Sequence, residues 1–218
     1  MKKGVSHMDK KAMYKLSYGL FVLTAARDGK DNGCITNTAI QVTSEPTRIA
    51  VAVNKANFTH DMIMDTDKFT ISILSEEASF DIFKHFGFQS GRDVDKFAGY
   101  ADCKRAANGL MYITKGTNAY ISVDVEQKVD LGTHTMFIGT VTDMEVLSDV
   151  PSATYTYYQN KIKPKPADAP KDGKSTLPPG VHKWRCKICG FEYIGETLPP
   201  DYICEICKHP ASDFELVE

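Results

Sequence analysis

The stretch NGCITNTAIQVTSEPTRIAVAVNKANFTHD, residues 32–61, decides the reading of the fold. CITNTAIQV is rich in β-branched residues and reads as a strand. TSEPT follows as a turn, and RIAVAV as the next strand. A connection that short joins antiparallel neighbours. The pattern continues outward in both directions. Upstream, FVLTAA (residues 21–26) is joined to this stretch by the turn RDGKDNG. Downstream, KFTISIL (68–74) alternates strictly, and TNAYISVDVEQKVDL (117–131) and HTMFIGTVTDMEVL (134–147) are two long strand candidates. Three short helices are expected: one within residues 8–20, with apolar spacing at Met13, Leu16 and Leu20; FTHDMIMDTD, capped by Asn57; and SEEASFDIFKHFG, capped by Ser75. Strands that follow one another through turns predict a mainly β protein, an antiparallel barrel with peripheral helices rather than a doubly wound sheet.

The chain has 218 residues, enough for one medium domain and one small one. Its formal net charge of −2 supplies no basic face for nucleic acid. There is no apolar run long enough to span a membrane. The basic N-terminus, MKKGVSHMDKKAMYKL, lacks the apolar core and cleavage site of a signal peptide, and Met8 is a second candidate start. Between residues 159 and 180 large apolar residues almost vanish, and NKIKPKPADAPKDGKSTLPPG reads as a semi-extended linker. The expected organisation is a first domain at 8–158, a linker at 159–180 and a small domain at 181–218.

Four of the six cysteines lie in that last segment, as Cys186, Cys189, Cys204 and Cys207. Two CxxC turns can close a tetrahedral four-sulfur site, which zinc and iron both accept. Cys34 and Cys103 stand apart, so the set describes a cytosolic protein with one metal site better than a disulfide scaffold. An aromatic set frames the thiols: Trp184, Tyr193, Tyr202 and Phe214. In the first domain no GxGxxG, GK[ST], HExxH or GxSxG motif occurs. Instead NKANFTHD places Lys55, Asn57, Thr59 and His60 at a helix start, where hydroxyl, amide and cationic groups suit an anion such as phosphate.

The tail resembles a rubredoxin. The resemblance lies in KWRCKICGFEY, LPPDYICEIC and ASDFE, with Gly190 after the second Cys and Leu198, Pro199 and Asp201 approaching the third. Glu205 and Lys208 depart from the usual proline and glycine, and the loop between the two pairs is short. From about Tyr14 to Tyr158 the chain resembles the flavin-reductase-like, FMN-binding split barrels. That match rests on SYGLFVLTA, NGCITNTAIQVTSEP, VNKANFTHDMI, FGFQSGRDVDKF, GTHTMFIGTV and TYTYY. Together the two segments resemble the high-molecular-weight rubredoxin type of fusion.

The resemblance implies FMN and one Cys-ligated iron as cofactors, with zinc as a possible substitute in the metal site. It implies that Asn37, Thr38 and Gln41 lie by the isoalloxazine. Thr43, Asn54, Lys55, Asn57, Thr59 and His60 are then candidates for the phosphate. Arg92 is a candidate for a phosphate or a bound reductant, or else a surface ion pair; Tyr158 and its neighbour Tyr157 are candidates for an aromatic near the flavin. His134, in GTHTMF, reads as a structural histidine on a strand. The implied activity takes electrons from NAD(P)H through FMN to iron and on to a redox partner such as a diiron flavoprotein that reduces oxygen or nitric oxide. No general acid or base is required of the protein for hydride transfer, and a homodimer is implied. Two other readings stay open on the residues: a carrier whose flavin another protein reduces, and a ligand-binding barrel with a structural zinc.

Overall fold

The computed structural model describes residues 10–164, 177–187, 191–204 and 210–217. Among the described residues nine strands precede the small domain: β1 (Phe21–Arg27), β2 (Lys30–Thr36), β3 (Ile40–Ser44), β4 (Thr47–Asn54), β5 (Lys68–Leu74), β6 (Cys103–Arg105), β7 (Met111–Ile113), β8 (Thr117–Asp130) and β9 (His134–Val146). Two helices accompany them, α1 (Phe58–Thr66) and α2 (Phe80–Gly87). Seven strands form one antiparallel sheet in the order β2-β1-β5-β8-β9-β4-β3, while β6 and β7 pair as a separate hairpin. The mainly β, antiparallel architecture is the expected one.

β2 and β3 follow each other in sequence yet lie at opposite edges of the sheet. Residues 37–39 therefore cross the seam of the barrel. The expected single strand over 34–42 is broken there. Thr38 holds the crossing: its hydroxyl donates to the Ala52 carbonyl at 2.7 Å and accepts from the Ala52 N–H at 3.2 Å. One side chain thus stands in for a strand neighbour of β4.

Other boundaries moved for local reasons. The turn after β1 is only Asp28-Gly29, with φ of 53° and 76°, so β2 begins at Lys30 instead of Cys34. Such a two-residue turn with both φ positive matches the twist of a hairpin. Helix α2 starts after Ser79, and Ser75 instead pairs with Ser152 in an isolated bridge. The segment before β1 forms a 3-10 turn over Lys10–Lys15, with Met13 and Leu16 exposed and Leu20 buried. The hairpin β6–β7 and a helical turn running from Tyr155 to Ile162 were not expected; the latter continues past residue 158.

β1 explains the layering. Phe21, Leu23 and Ala25 point into the barrel core with Val51, Phe69 and Phe137. Leu20 and Val22 face the other way, onto Phe83 and Phe86 of α2. Period-2 side chains of one strand thus serve two cores. Gly139 of β9 lies against β8 where no side chain fits: a Cβ there would sit 2.2 Å from the Asp124 carbonyl oxygen.

The small domain is a three-stranded antiparallel sheet in the order β11-β10-β12, with β10 at His182–Cys186, β11 at Glu192–Gly195 and β12 at Phe214–Leu216. Among the described residues no helix is long and apolar enough to cross a membrane.

Candidate functional site

Helix α1 starts at the end of β4, and its first turn faces β2. Asn57 precedes it with extended backbone but makes no side-chain cap, contrary to expectation. The His60 N–H donates to the Asn57 carbonyl at 3.0 Å, which leaves the N–H groups of Phe58 and Thr59 without a cap from the Asn57 side chain. They open on a cavity of about 450 Å³ lined by Asn32, Cys34, Asn54, Asn57, Thr59 and Lys96. Asn32 is 1% exposed; its amide donates to the Thr59 hydroxyl at 2.9 Å, while its amide oxygen has no partner among the described residues. A buried, unpartnered polar atom in a cavity wall is costly unless a ligand or water completes it.

Lys96 is 3% exposed, and its ammonium donates to the carbonyls of Gly33 (2.8 Å) and Phe86 (2.9 Å). It thereby joins β2 to the C-terminal end of α2, where a cation is favoured. Burial pulls its pKa down to about 8, and the neighbouring Cys34 opposes that pull. Burial pushes the Cys34 thiol up, so it stays protonated and unreactive. At the rim, Arg92, Lys30 and Arg27 lie 5.0, 5.2 and 5.6 Å from the centre of the Phe58 ring. Arg92 is paired with Asp61 at 2.7 Å and Arg27 with Asp65, whereas Lys30 donates to the Gly91 carbonyl at 2.7 Å. Burial would raise the Asp61 carboxyl, but hydrogen bonds from Arg92 and His60 hold it below its usual range.

A second cavity of about 590 Å³ adjoins the first; both are walled by Ile35, Gly87 and Phe88. Its other walls include Tyr18, Tyr155 and Tyr158. Tyr158 is buried, with its ring 4.4 Å from that of Phe83. One trough thus has a polar, cationic end and an aromatic end.

Of the residues expected at a cofactor site, Asn54, Asn57 and Thr59 line the polar end and Tyr158 the aromatic end. The other seven line neither cavity. The Thr38 side chain is spent on the seam; Gln41 lies on β3 by an apolar depression; the Thr43 hydroxyl binds the Pro46 carbonyl at 2.5 Å. Lys55 pairs with Asp130 at 2.7 Å. His60 is buried, with Nε2 2.9 Å from the Thr135 hydroxyl and its ring against Phe137. Arg92 is held by Asp61. Asn37 sits at the seam. His134 contacts the neighbouring Thr133 hydroxyl at 2.9 Å.

Asn32, Lys96 and Phe88 are site residues that sequence reasoning missed. Lys96, in DVDKF, carries no local sign of burial; only the approach of α2 to β2 encloses it.

In the small domain Cys186 and Cys204 are both buried and pack against Phe214, with Trp184, Tyr193 and Tyr202 around them. Cys189 and Cys207 lie outside the described residues. The two described thiols are thus enclosed by aromatic side chains.

Residues 13–165 match the flavin reductase like domain family, and residues 184–215 the rubrerythrin, rubredoxin-like domain. The chain belongs to the flavin reductase like family, an oxidoreductase family, and carries a rubredoxin-like domain behind it. It is 39% identical to the high molecular weight rubredoxin of Moorella thermoacetica, over 96% of this chain and 100% of that one. It is 38% identical to a ferric-chelate reductase (NAD(P)H) of Archaeoglobus fulgidus, over 72% of this chain and 93% of the relative. Among solved structures, the NADH:FAD oxidoreductase of Streptomyces globisporus superposes with a TM-score of 0.59 at 19% identity, covering 70% of this chain and 93% of that one. That likeness speaks for the fold.

Proposed function

We propose that the chain is a two-centre electron-transfer flavoprotein, taking electrons from NAD(P)H and passing them through FMN and a Cys-ligated iron to a partner redox protein. The carrying observation is the trough itself: an uncapped helix start, a buried ammonium and an orphaned amide oxygen converge at one end, with aromatic walls at the other. Those groups fit a ligand with an anionic, hydroxylated tail and a flat ring. Thr59, Asn57 and the start of α1 would hold the phosphate, with the Lys96 charge behind them. The unpartnered Asn32 oxygen would accept from a hydroxyl of the tail. Tyr158 and Phe88 would border the ring and exclude water from it.

When bound, FMN takes a hydride as two electrons and gives electrons singly, which suits a one-iron site. No side chain need move a proton for that hydride. Cys186, Cys189, Cys204 and Cys207 would hold the iron, and the same four sulfurs would accept zinc. The division of labour follows residues 8–158, the linker 159–180 and residues 181–218. An acceptor such as a diiron flavoprotein, with a basic patch for the acidic tail, and a cytoplasmic location complete the reading.

We also propose a homodimer. All five residues of edge strand β3 are exposed, Ile40 and Val42 among them, and the exposed Met144 of β9 lines one depression with Ile40. A second copy would cover this apolar edge.

Anaerobic stopped-flow mixing of the holoprotein with NADH and with NADPH tests the function. Rapid loss of the oxidised flavin spectrum, followed by bleaching of the ferric–sulfur colour, is expected. A flavin that stays oxidised with both donors would leave a carrier served by another protein. A colourless preparation replete with metal would sink both redox readings.

A further inference from the structure

The trough is not walled by the barrel alone. Lys187, directly after Cys186, lines the aromatic cavity beside Tyr155 and Lys163. Pro210, whose carbonyl accepts from the Asp213 N–H at 2.9 Å, lines the polar cavity. Both cavities share Ile35, Gly87 and Phe88, so these two residues straddle the ridge between them. The Lys163 ammonium, just past the helical turn that ends at Ile162, donates to the Lys187 carbonyl. Lys187 is itself fixed to the cysteine end of the small domain: its N–H donates to the Asp213 carbonyl at 2.8 Å and its ammonium to Ser212 at 3.1 Å. The partner seated on the aromatic end of the trough is therefore this chain's own small domain, cysteine end first.

We propose that this face of the barrel is an intramolecular docking surface for the small domain, and that the docked domain and the nicotinamide donor exclude each other. The inference rests on the function proposed above, because it concerns who occupies the aromatic end once FMN fills the trough. With the flavin ring in the aromatic cavity, a nicotinamide that reduces it must come to that same cavity. Its wall includes Lys187, so a dinucleotide entering there must displace the contact between Lys163 and Lys187. Twelve residues, 165–176, connect the two described parts, and a chain of that length can span up to about 40 Å, enough to let the domain leave and return. Hydride delivery and docking then alternate, and Lys163 sets the balance between them.

The test uses the full holoprotein and a short amine-reactive crosslinker. A Lys163–Lys187 crosslink is expected by peptide mass spectrometry. Its yield should fall about tenfold when NAD⁺ or NADP⁺ is added at ten times its dissociation constant, because a ligand that binds only the undocked state depletes the docked one by mass action. A mixture of isotopically heavy and light chains should give crosslinks within chains; links only between chains would place the partner copy's small domain on the trough and overturn the intramolecular assignment. No crosslink overturns docking. An undiminished crosslink in a protein whose flavin NAD(P)H still reduces overturns the exclusion but spares the function; an undiminished crosslink with a flavin that stays oxidised overturns both. As a second readout, Lys163→Met should lower the KM for the nicotinamide and slow iron reduction, while Lys163→Arg restores both. A KM that does not fall, or iron reduction that does not slow, counts against the proposal.

Discussion

The barrel and the small domain reach stability by opposite means. Inside the barrel, Leu23, Met62, Ile63, Phe69 and Phe137 are all fully buried in one cluster, and a second cluster lies under α2. In the small domain the buried hydrophobic set among the described residues is Cys186, Cys204 and Phe214, and two of those are metal-ligand candidates. A sheet of three short strands cannot bury enough apolar surface to offset its ordering entropy. Its fold must draw on metal binding, whereas the barrel needs none. The difference also makes the single tryptophan useful. Trp184 lies on β10, so its fluorescence reports the small domain alone.

The sharpest break between the two regions is Cys204→Ser, or removal of the metal from the native protein. Either should unfold the small domain, since structural thiolate sites contribute on the order of 10 kcal/mol. Trp184 emission should shift to the red while the circular dichroism melt of the barrel keeps its midpoint. A barrel that melts together with the Trp184 signal would refute the independence of the two regions. The converse experiment is Phe137→Ala. Loss of a fully buried ring should cost the barrel about 3–5 kcal/mol in denaturant unfolding and leave Trp184 emission unmoved.

Within the barrel, Lys96→Met isolates the site from the scaffold. It removes the charge behind the proposed phosphate and should weaken FMN binding about ten- to hundredfold by fluorescence titration. The wild-type protein should itself lose FMN affinity as pH rises through about 8, where Lys96 deprotonates, and the variant should show no such dependence. Stability runs the other way. The folded pKa is depressed, so between about 8 and 10.5 the unfolded chain binds more protons and raising the pH favours the fold. Opposite slopes for affinity and stability over that window would identify Lys96; parallel slopes would reject it. The smallest effect is expected at the seam. Thr38→Val deletes the hydroxyl that serves Ala52 and should cost about 1 kcal/mol of barrel stability with FMN affinity kept. An affinity loss larger than the stability loss would return the Thr38 hydroxyl to the cofactor site.

Particular residues show which features the sequence could reveal. The alternation in KFTISIL and the turn signals around residues 27–33 and 43–47 are local, and the antiparallel sheet followed from them. The CxxC pairs and their aromatic frame are likewise local in spacing, and the rubredoxin-like domain was legible from them. Within the helix-start cluster, Asn54, Asn57 and Thr59 share a cavity, while Lys55 and His60 turn to Asp130 and Thr135. Those partners lie 75 residues away, at the end of β8 and on β9. No spacing rule within residues 54–60 could show them.

The sequence by itself determined most of the long strands, their antiparallel pairing and the set of thiols, because periodicity, turn chemistry and short-range spacing act over a few residues. Only the tertiary structure decided that the chain crosses the seam at residues 37–39, that Lys96 is buried between β2 and α2, and that Lys187 and Pro210 stand over the trough. Each of those depends on desolvation and on contacts between segments distant in sequence, and such contacts exist only once the sheet has brought the segments together.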